Sequence, residues 1–268
     1  MLGAIIGDIA GSRWEFNPTN SYNFQLFSEK NDFTDDTICT IAVADAILQG
    51  KNYGESIHEW CRRYPHPMGA YGARFKQWVM SNHPMPYGSF GNGSAMRVSP
   101  VAMYFKETEV AIEEAIKTAE CTHNHPEGLK GAAAVAHAIS LAIKRCSGVL
   151  KTDAHFQIVD IVAERFDYNV HVQEAEVMNV FDETCQGTVP VALWIIHNSN
   201  GFEDAIRRAV SLGADADTLG AIVGSIAEYI WGIPEWMKER VMEYLPKEMQ
   251  KIVVQFYDTI FLNDNNKL

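Results

Sequence analysis

Cysteine is scarce in this chain of 268 residues, and its spacing is uninformative. Five are present, Cys39, Cys61, Cys121, Cys146 and Cys185, and none stands in a C-x-x-C pair. An odd number without close spacing argues against a disulfide framework and predicts a reduced, cytoplasmic setting. Long apolar runs are missing too, so no membrane span is expected. The N-terminus carries no basic residue ahead of its first apolar run, which breaks at Asp8, and a signal peptide is not predicted. Positive charge is in short supply, with 22 Lys and Arg against 34 Asp and Glu and a net charge of −12. That balance argues against nucleic acid and anionic membrane surfaces as partners. It suits a protein that holds cations. Strand signals are almost missing; residues 167–172 alternate weakly and are the one short strand candidate. There is no internal repeat and no shift in composition along the chain. Hydrophobic residues at 47% and charged residues at 21% exclude a disordered or fibrous chain. One domain, residues 1–268, is expected, read as a monomer with a frayed polar tail at 263–268.

What remains is helical periodicity. Phe202, Ala205, Ile206, Ala209 and Val210 fall on one helical stripe, as do Val110, Ala111, Ala115, Ile116 and Ala119. Phe156, Val159 and Val162 make a third. Residues 35–48 and 219–230 are apolar almost all round and predict central, buried helices. Residues 131–143 are alanine-rich, as close helix packing requires. Glycine recurs every fourth residue at Gly3, Gly7 and Gly11, and again at Gly220 and Gly224. Each costs up to ~1 kcal/mol against alanine inside a helix, so a tight helix crossing is expected to offset it. The fold class predicted is all-α.

Two acidic segments stand directly before the buried helices: Thr34-Asp35-Asp36-Thr37 and Asp215-Ala216-Asp217-Thr218. Capping explains either one alone, because Asp and Thr satisfy free N–H groups and the positive end of the dipole. Capping needs one side chain per helix, however, and here are two aspartates and a threonine at each. If the two helix mouths meet, four carboxylates share a pocket, and divalent cations would relieve their repulsion. An all-oxygen set selects Mg²⁺ or Mn²⁺ over zinc. Elsewhere, residues 86–94 form a glycine-rich loop that lacks the G-K-[ST] of a Walker motif. It is read as running into a helix from Ala95, and either cradles a phosphate or is a plain turn. His123 and His125 share a loop but have no partner at zinc spacing. Glu15 reads as a surface acid.

Taken in order, Gly7-Asp8, Gly11, Glu15, Thr34-Asp35-Asp36-Thr37, residues 88–97 and Asp215-Ala216-Asp217-Thr218-Leu219-Gly220 resemble the ADP-ribosylglycohydrolase family. Residues 188–194 resemble it as well, and the likeness runs from about residue 2 to about residue 231. The resemblance implies a compact, orthogonal helical bundle. It implies two Mg²⁺ or Mn²⁺ ions bound by Thr34, Asp35, Asp36, Asp215, Asp217 and Thr218, which meet the hydroxyls of the distal ribose. Glu15 would lie on a mobile loop over the metals; the long, polar, period-free loop 17–33 that follows it is read from its own residues as a lid that closes over the ribose. Gly88 and Ser89 match the loop that holds the diphosphate, and Gly72 another backbone contact near the phosphates. His123 matches a histidine near the ribose and phosphates, with His125 second. The implied substrate is an ADP-ribosylated protein or a small molecule containing ADP-ribose. Arginine is the favoured acceptor, with serine and O-acetyl-ADP-ribose as alternatives and a non-catalytic, J1-crystallin-like member as another. Residues 145–187 match loosely and bear on acceptor choice. Cleavage at the anomeric carbon develops oxocarbenium character, and Asp36 or Glu15 would assist proton transfer.

Overall fold

The computed structural model describes residues 1–151 and 154–265. Its helices, in chain order, are α1 (Leu2–Gly11), α2 (Asp35–Gln49), α3 (Tyr53–Arg63), α4 (Ala73–Met80), α5 (Ser99–Tyr104), α6 (Thr108–Glu120) and α7 (Pro126–Cys146). They continue with α8 (Phe156–Phe166), α9 (Glu174–Val177), α10 (Cys185–His197), α11 (Phe202–Ser211), α12 (Ala216–Trp231), α13 (Glu235–Met242) and α14 (Lys247–Asn265). Every stretch with a helical stripe is thus a helix, and the protein is all-α. Among the described residues there is no strand, only one isolated bridge between Gly91 and Thr184. No described helix is long and apolar enough to cross a membrane. The tail expected to fray is helical to Asn265, and residues 266–268 lie outside the described residues.

The centre of the molecule is α1 against α12. All of α1 after Leu2 is buried, with Ile5, Ile6 and Ile9 fully shielded. Each such side chain contributes roughly 1.5–3 kcal/mol by leaving water. The expected glycine crossing is present. A Cβ on Gly7 would sit 1.9 Å from the Gly220 carbonyl oxygen, one on Gly3 2.1 Å from that of Gly224, and one on Gly11 2.3 Å from that of Ala216. The pairing order reverses along the two helices, so they run antiparallel. This register brings the C-terminal end of α1 to the N-terminal end of α12.

The second buried helix, α2, also packs on α1, and one α1 side chain holds its N-terminal end. Asp8 is fully buried and accepts four hydrogen bonds from the start of α2. They come from the Thr34 amide (3.1 Å), the Thr34 hydroxyl (2.8 Å), the Thr37 amide (3.0 Å) and the Thr37 hydroxyl (2.5 Å). At its other end α2 closes on Gly50, whose left-handed backbone (φ 62°) lets its amide reach the carbonyls of Ala46 and Ile47. One helix, α1, therefore sets the positions of both acidic helix mouths.

Three sequence expectations are corrected here. No helix starts at Ala95: residues 92–94 make a 3-10 turn and α5 begins at Ser99. Pro100 sits in the first turn of α5, where its missing N–H has no cost. Residues 167–172 are not a strand. Asp167 takes a left-handed conformation (φ 52°) that ends α8, and no partner strand adjoins the segment. Residues 17–33 are not polar throughout and do not hang free. Phe24, Leu26 and Phe27 are buried, Arg207 donates to the carbonyls of Tyr22 and Phe24, and Tyr22 donates to Asp204. Asn31 ties the far end down, donating to the Ile9 carbonyl at 2.7 Å.

Candidate active site

The capping question is decided by hydrogen bonds. In α2 the cap is Thr34, whose hydroxyl accepts from the Asp36 amide at 3.2 Å, so neither Asp35 nor Asp36 is needed for it. In α12 the N-cap residue Asp215 makes no side-chain cap bond. Its Oδ2 instead accepts from Asn92 Nδ2 at 2.7 Å. The carboxylates are therefore not spent on the helix ends.

They converge instead. Thr218 donates to Asp36 Oδ2 at 3.2 Å, which joins the mouth of α12 to that of α2. Glu15, just beyond α1, places a carboxylate oxygen within 4.8 Å of oxygens from both Asp215 and Asp217. Glu15, Asp35, Asp36, Asp215, Asp217 and Thr218 line one cavity of about 310 Å³. Gly72, Ser89 and His123 line the same cavity. Thr34 and Gly88 do not. The Thr34 hydroxyl is engaged by Asp8 and by the Asp36 amide. Gly88 shapes the loop, with φ 65° and its amide donated to Asn124 Oδ1 at 2.7 Å. His125 is exposed and caps α7 through Nδ1, which leaves His123 as the loop histidine in the cavity.

The electrostatics ask for cations. Burial is the first cause of a rise in every acid of the cluster, and neighbouring carboxylates add to it. Asp215 is pushed up to about 6, Asp35 to about 7 and Glu15 to about 8, while Asp36 and Asp217 lie well above the usual carboxylate range. Asp36 Oδ1, Asp217 Oδ1 and Glu15 Oε2 are buried and have no hydrogen-bond partner. Such orphaned oxygens beside one another are costly unless something positive meets them. An all-oxygen set of carboxylates and a hydroxyl fits hard divalent ions.

A pH dependence follows. Folded-state values above the unfolded ones mean that the cation-free fold holds protons which the unfolded chain releases. That contribution is complete near pH 4 and is lost as pH rises through about 6 to 8, at ~1.4 kcal/mol per pH unit for each proton held. With chelator present, the melting temperature should fall as pH is raised from about 5.5 to 8.5. Added Mg²⁺ or Mn²⁺ should flatten this slope. A melting temperature in chelator that is level or rises with pH contradicts a buried, proton-holding cluster.

The sequence assigned no role to several residues in or beneath the cavity. Asp8 sits beneath the site as its anchor; in the sequence it showed as a carboxylate interrupting an apolar run and as part of the Gly7-Asp8 motif, without a role. Asn92 orients Asp215 and also donates to Thr188 at 3.0 Å. Arg74, Tyr87 and Arg97 line the cavity as well. Glu183 does too, from the stretch that sequence likeness left undecoded. Its carbonyl accepts the Asn92 amide at 2.7 Å, and Cys185 donates its amide to Phe90, stitching that stretch to the glycine-rich loop.

The sequence profile of the ADP-ribosylglycohydrolase family matches residues 1–266. The "ADP-ribosylarginine hydrolase Tri1" of Pseudomonas putida (strain GB-1) is 25% identical, over 96% of this chain and 76% of that protein. The "ADP-ribosylhydrolase ARH3" of Mus musculus is 24% identical, over 97% of this chain and 87% of that one. A solved "ADP-ribosylglycohydrolase-related protein complex" shares the fold, with a TM-score of 0.66 and 22% identity over 96% of both chains. With the family profile matched along almost the whole chain and an acid-lined cavity where both acidic motifs meet, the chain belongs to the ADP-ribosylglycohydrolase family and is a hydrolase of the glycosidic bonds of ADP-ribose.

Proposed function

We propose that the protein cleaves ADP-ribose from arginine side chains of proteins, using two Mg²⁺ or Mn²⁺ ions. The observation that carries this reading is the double character of one cavity. Orphaned carboxylate oxygens line it together with Arg74, Arg97 and His123. A ligand with a cation-binding diol and an anionic diphosphate needs both. Asp35, Asp36, Asp215, Asp217 and Thr218 are the residues assigned to the ions; Thr34, whose hydroxyl is taken by Asp8 and by the Asp36 amide, is not among them and instead caps the helix that presents Asp35 and Asp36. When bound, those ions would orient the ribose diol and acidify a water.

The chain's own residues do the rest. Gly72 stands at the N-terminal end of α4, where no side chain caps the first-turn amides, and a Cβ there would meet nothing within 4 Å. The open amides and the helix dipole favour a phosphate. Ser89 and His123 supply further polar contacts from the facing loops. Glu15, held near neutrality by burial and by Asp215 and Asp35, is the carboxyl assigned to exchange a proton with water or with the leaving group. Asp36 is the second. Glu183 adds negative charge to the cavity lining, which suits a guanidinium acceptor better than a neutral hydroxyl.

The test is turnover on a panel of ADP-ribosyl-arginine peptide, ADP-ribosyl-serine peptide and O-acetyl-ADP-ribose, with Mg²⁺, Mn²⁺ or chelator. The expected result is metal-dependent release of ADP-ribose, fastest from arginine. Preference for serine or for the ester overturns the acceptor; equal rates in chelator overturn the ions. Glu15→Gln keeps shape and removes charge. It should lower kcat roughly ten- to a hundred-fold, the equivalent of ~1.5–3 kcal/mol, and leave ADP-ribose affinity nearly intact. An unchanged kcat removes Glu15 from the proton transfer and leaves it a carboxyl of the cavity lining.

A further inference from the structure

His123 is buried, lines the cavity and is backed by a short chain of hydrogen bonds. Thr122 Oγ1 lies 2.6 Å from His123 Nδ1. The same oxygen accepts from Arg97 Nη2 at 2.9 Å. Arg97 is itself fully buried, and the same Nη2 donates to the Thr118 carbonyl at 2.7 Å. A guanidinium can only donate, so its bond with Thr122 has one direction. The hydroxyl proton of Thr122 must then go elsewhere. Its near acceptor is Nδ1; the other neighbour, Cys121 Sγ, is 4.0 Å away. Placing that proton on the 2.6 Å contact makes Nδ1 the acceptor and puts the ring proton on Nε2; the opposite assignment would leave the Thr122 proton with only the sulfur at 4.0 Å. That nitrogen is the one near Gly91 and Gly93, 3.5 Å and 3.2 Å from where their Cβ atoms would be.

Thr122 also acts through its carbonyl. The oxygen accepts the amides of Tyr87 and Ser89, both at 3.4 Å. One buried residue thus holds the loop that carries Ser89 and the ring of His123 in a common frame.

We propose that Thr122, fixed by Arg97, is a positioning residue that locks His123 in the Nε2–H tautomer, so that Nε2 donates a hydrogen bond to an oxygen of the bound ADP-ribosyl group. This rests on the placement of His123 at the substrate in the reading above. The lock matters because a histidine free to exchange tautomers presents a lone pair to an oxygen acceptor part of the time. Burial and the nearby Arg97 and Arg74 hold the imidazole well below its usual range, so the ring donates as a neutral group across the working pH.

The test uses ¹⁵N-labelled full-length protein and long-range ¹H–¹⁵N spectra of the imidazoles, with His123 assigned by the signals missing in His123→Gln. The wild type should show an unprotonated Nδ1 and a protonated Nε2, unchanged between about pH 6 and 8. Thr122→Val has nearly the same shape but can neither accept from Arg97 nor donate to Nδ1. It should give averaged or exchanging ring shifts and a KM raised about ten-fold, the worth of one hydrogen bond, with a smaller change in kcat. Thr122→Ser should restore both. A wild-type ring protonated at Nδ1, or a Thr122→Val spectrum identical to the wild type, overturns the lock. A correct tautomer with a KM that His123→Gln leaves unchanged overturns the placement of His123 at the substrate instead, and the two failures are told apart by which measurement moves.

Discussion

Asp217→Asn should abolish turnover, by at least about a thousand-fold or ~4 kcal/mol of transition-state stabilisation, without weakening the cation-free fold. The two halves of this expectation come from one fact. Asp217 Oδ1 is buried, unpartnered and surrounded by other acids: Asp215, Asp36, Glu15 and Asp8 all push its proton affinity up. With no cation bound, the carboxylate is a liability, and an amide of the same shape relieves the repulsion. In chelator the variant should therefore melt no lower than the parent. With Mg²⁺ or Mn²⁺ the parent should gain stability by binding linkage, and the variant should gain much less. Asp36→Asn should behave alike, because Asp36 Oδ1 is also unpartnered and its other oxygen is tied to Thr218. A large drop in melting temperature in chelator would mean that these carboxylates hold helix ends after all. Full activity would remove the acidic mouths from the chemistry.

That the mouths meet was legible in the sequence only in part. Two aspartates and a threonine before each buried helix exceed what capping needs, and the glycine spacing of α1 and α12 announced a close crossing. The sequence could not say that the crossing is antiparallel. That direction is what carries Glu15 to Asp217, and it follows from which carbonyl each glycine faces. Asp8 illustrates a different blindness. Its position inside an apolar run was visible, but its four partners lie 26 and 29 residues away across a loop with no period. The same loop misled by its polar ends; Phe24, Leu26 and Phe27 bury without making any stripe. The buried roles of Arg97 and Thr122 were unreadable for a further reason. A buried arginine in a turn reads as a surface cation until its acceptors, 21 and 25 residues on, are known. Glu183 comes from a stretch where likeness to the family is loose, so only geometry could bring it to the cavity.

Gly7→Ala tests whether the α1–α12 register builds the site, because two physical effects predict opposite signs. By helix propensity alone the change stabilises, since glycine inside a helix is less favourable than alanine by up to ~1 kcal/mol. By packing it cannot fit. The new Cβ would stand 1.9 Å from the Gly220 carbonyl oxygen and 2.1 Å from its carbon, both backbone atoms of a buried helix. No rotamer change relieves that contact; the helices must separate or slide. Overpacking of this kind costs typically 1–3 kcal/mol, and the tightness here puts the expected loss at or above the upper end, about 3 kcal/mol or more. At roughly 2–4 °C per kcal/mol for a chain of this size, the melting temperature should fall by about 6–12 °C. Activity should fall further than the unfolded fraction explains. Separating α1 from α12 moves Glu15 away from Asp215 and Asp217, and displacements near 1 Å at reacting groups can cost about a hundred-fold. Assayed well below its melting temperature, Gly7→Ala should thus be folded by circular dichroism, low in turnover and weak in its stabilisation by Mg²⁺. A variant that melts at or above the parent would show that the glycines are incidental and that something other than this crossing brings the acidic mouths together.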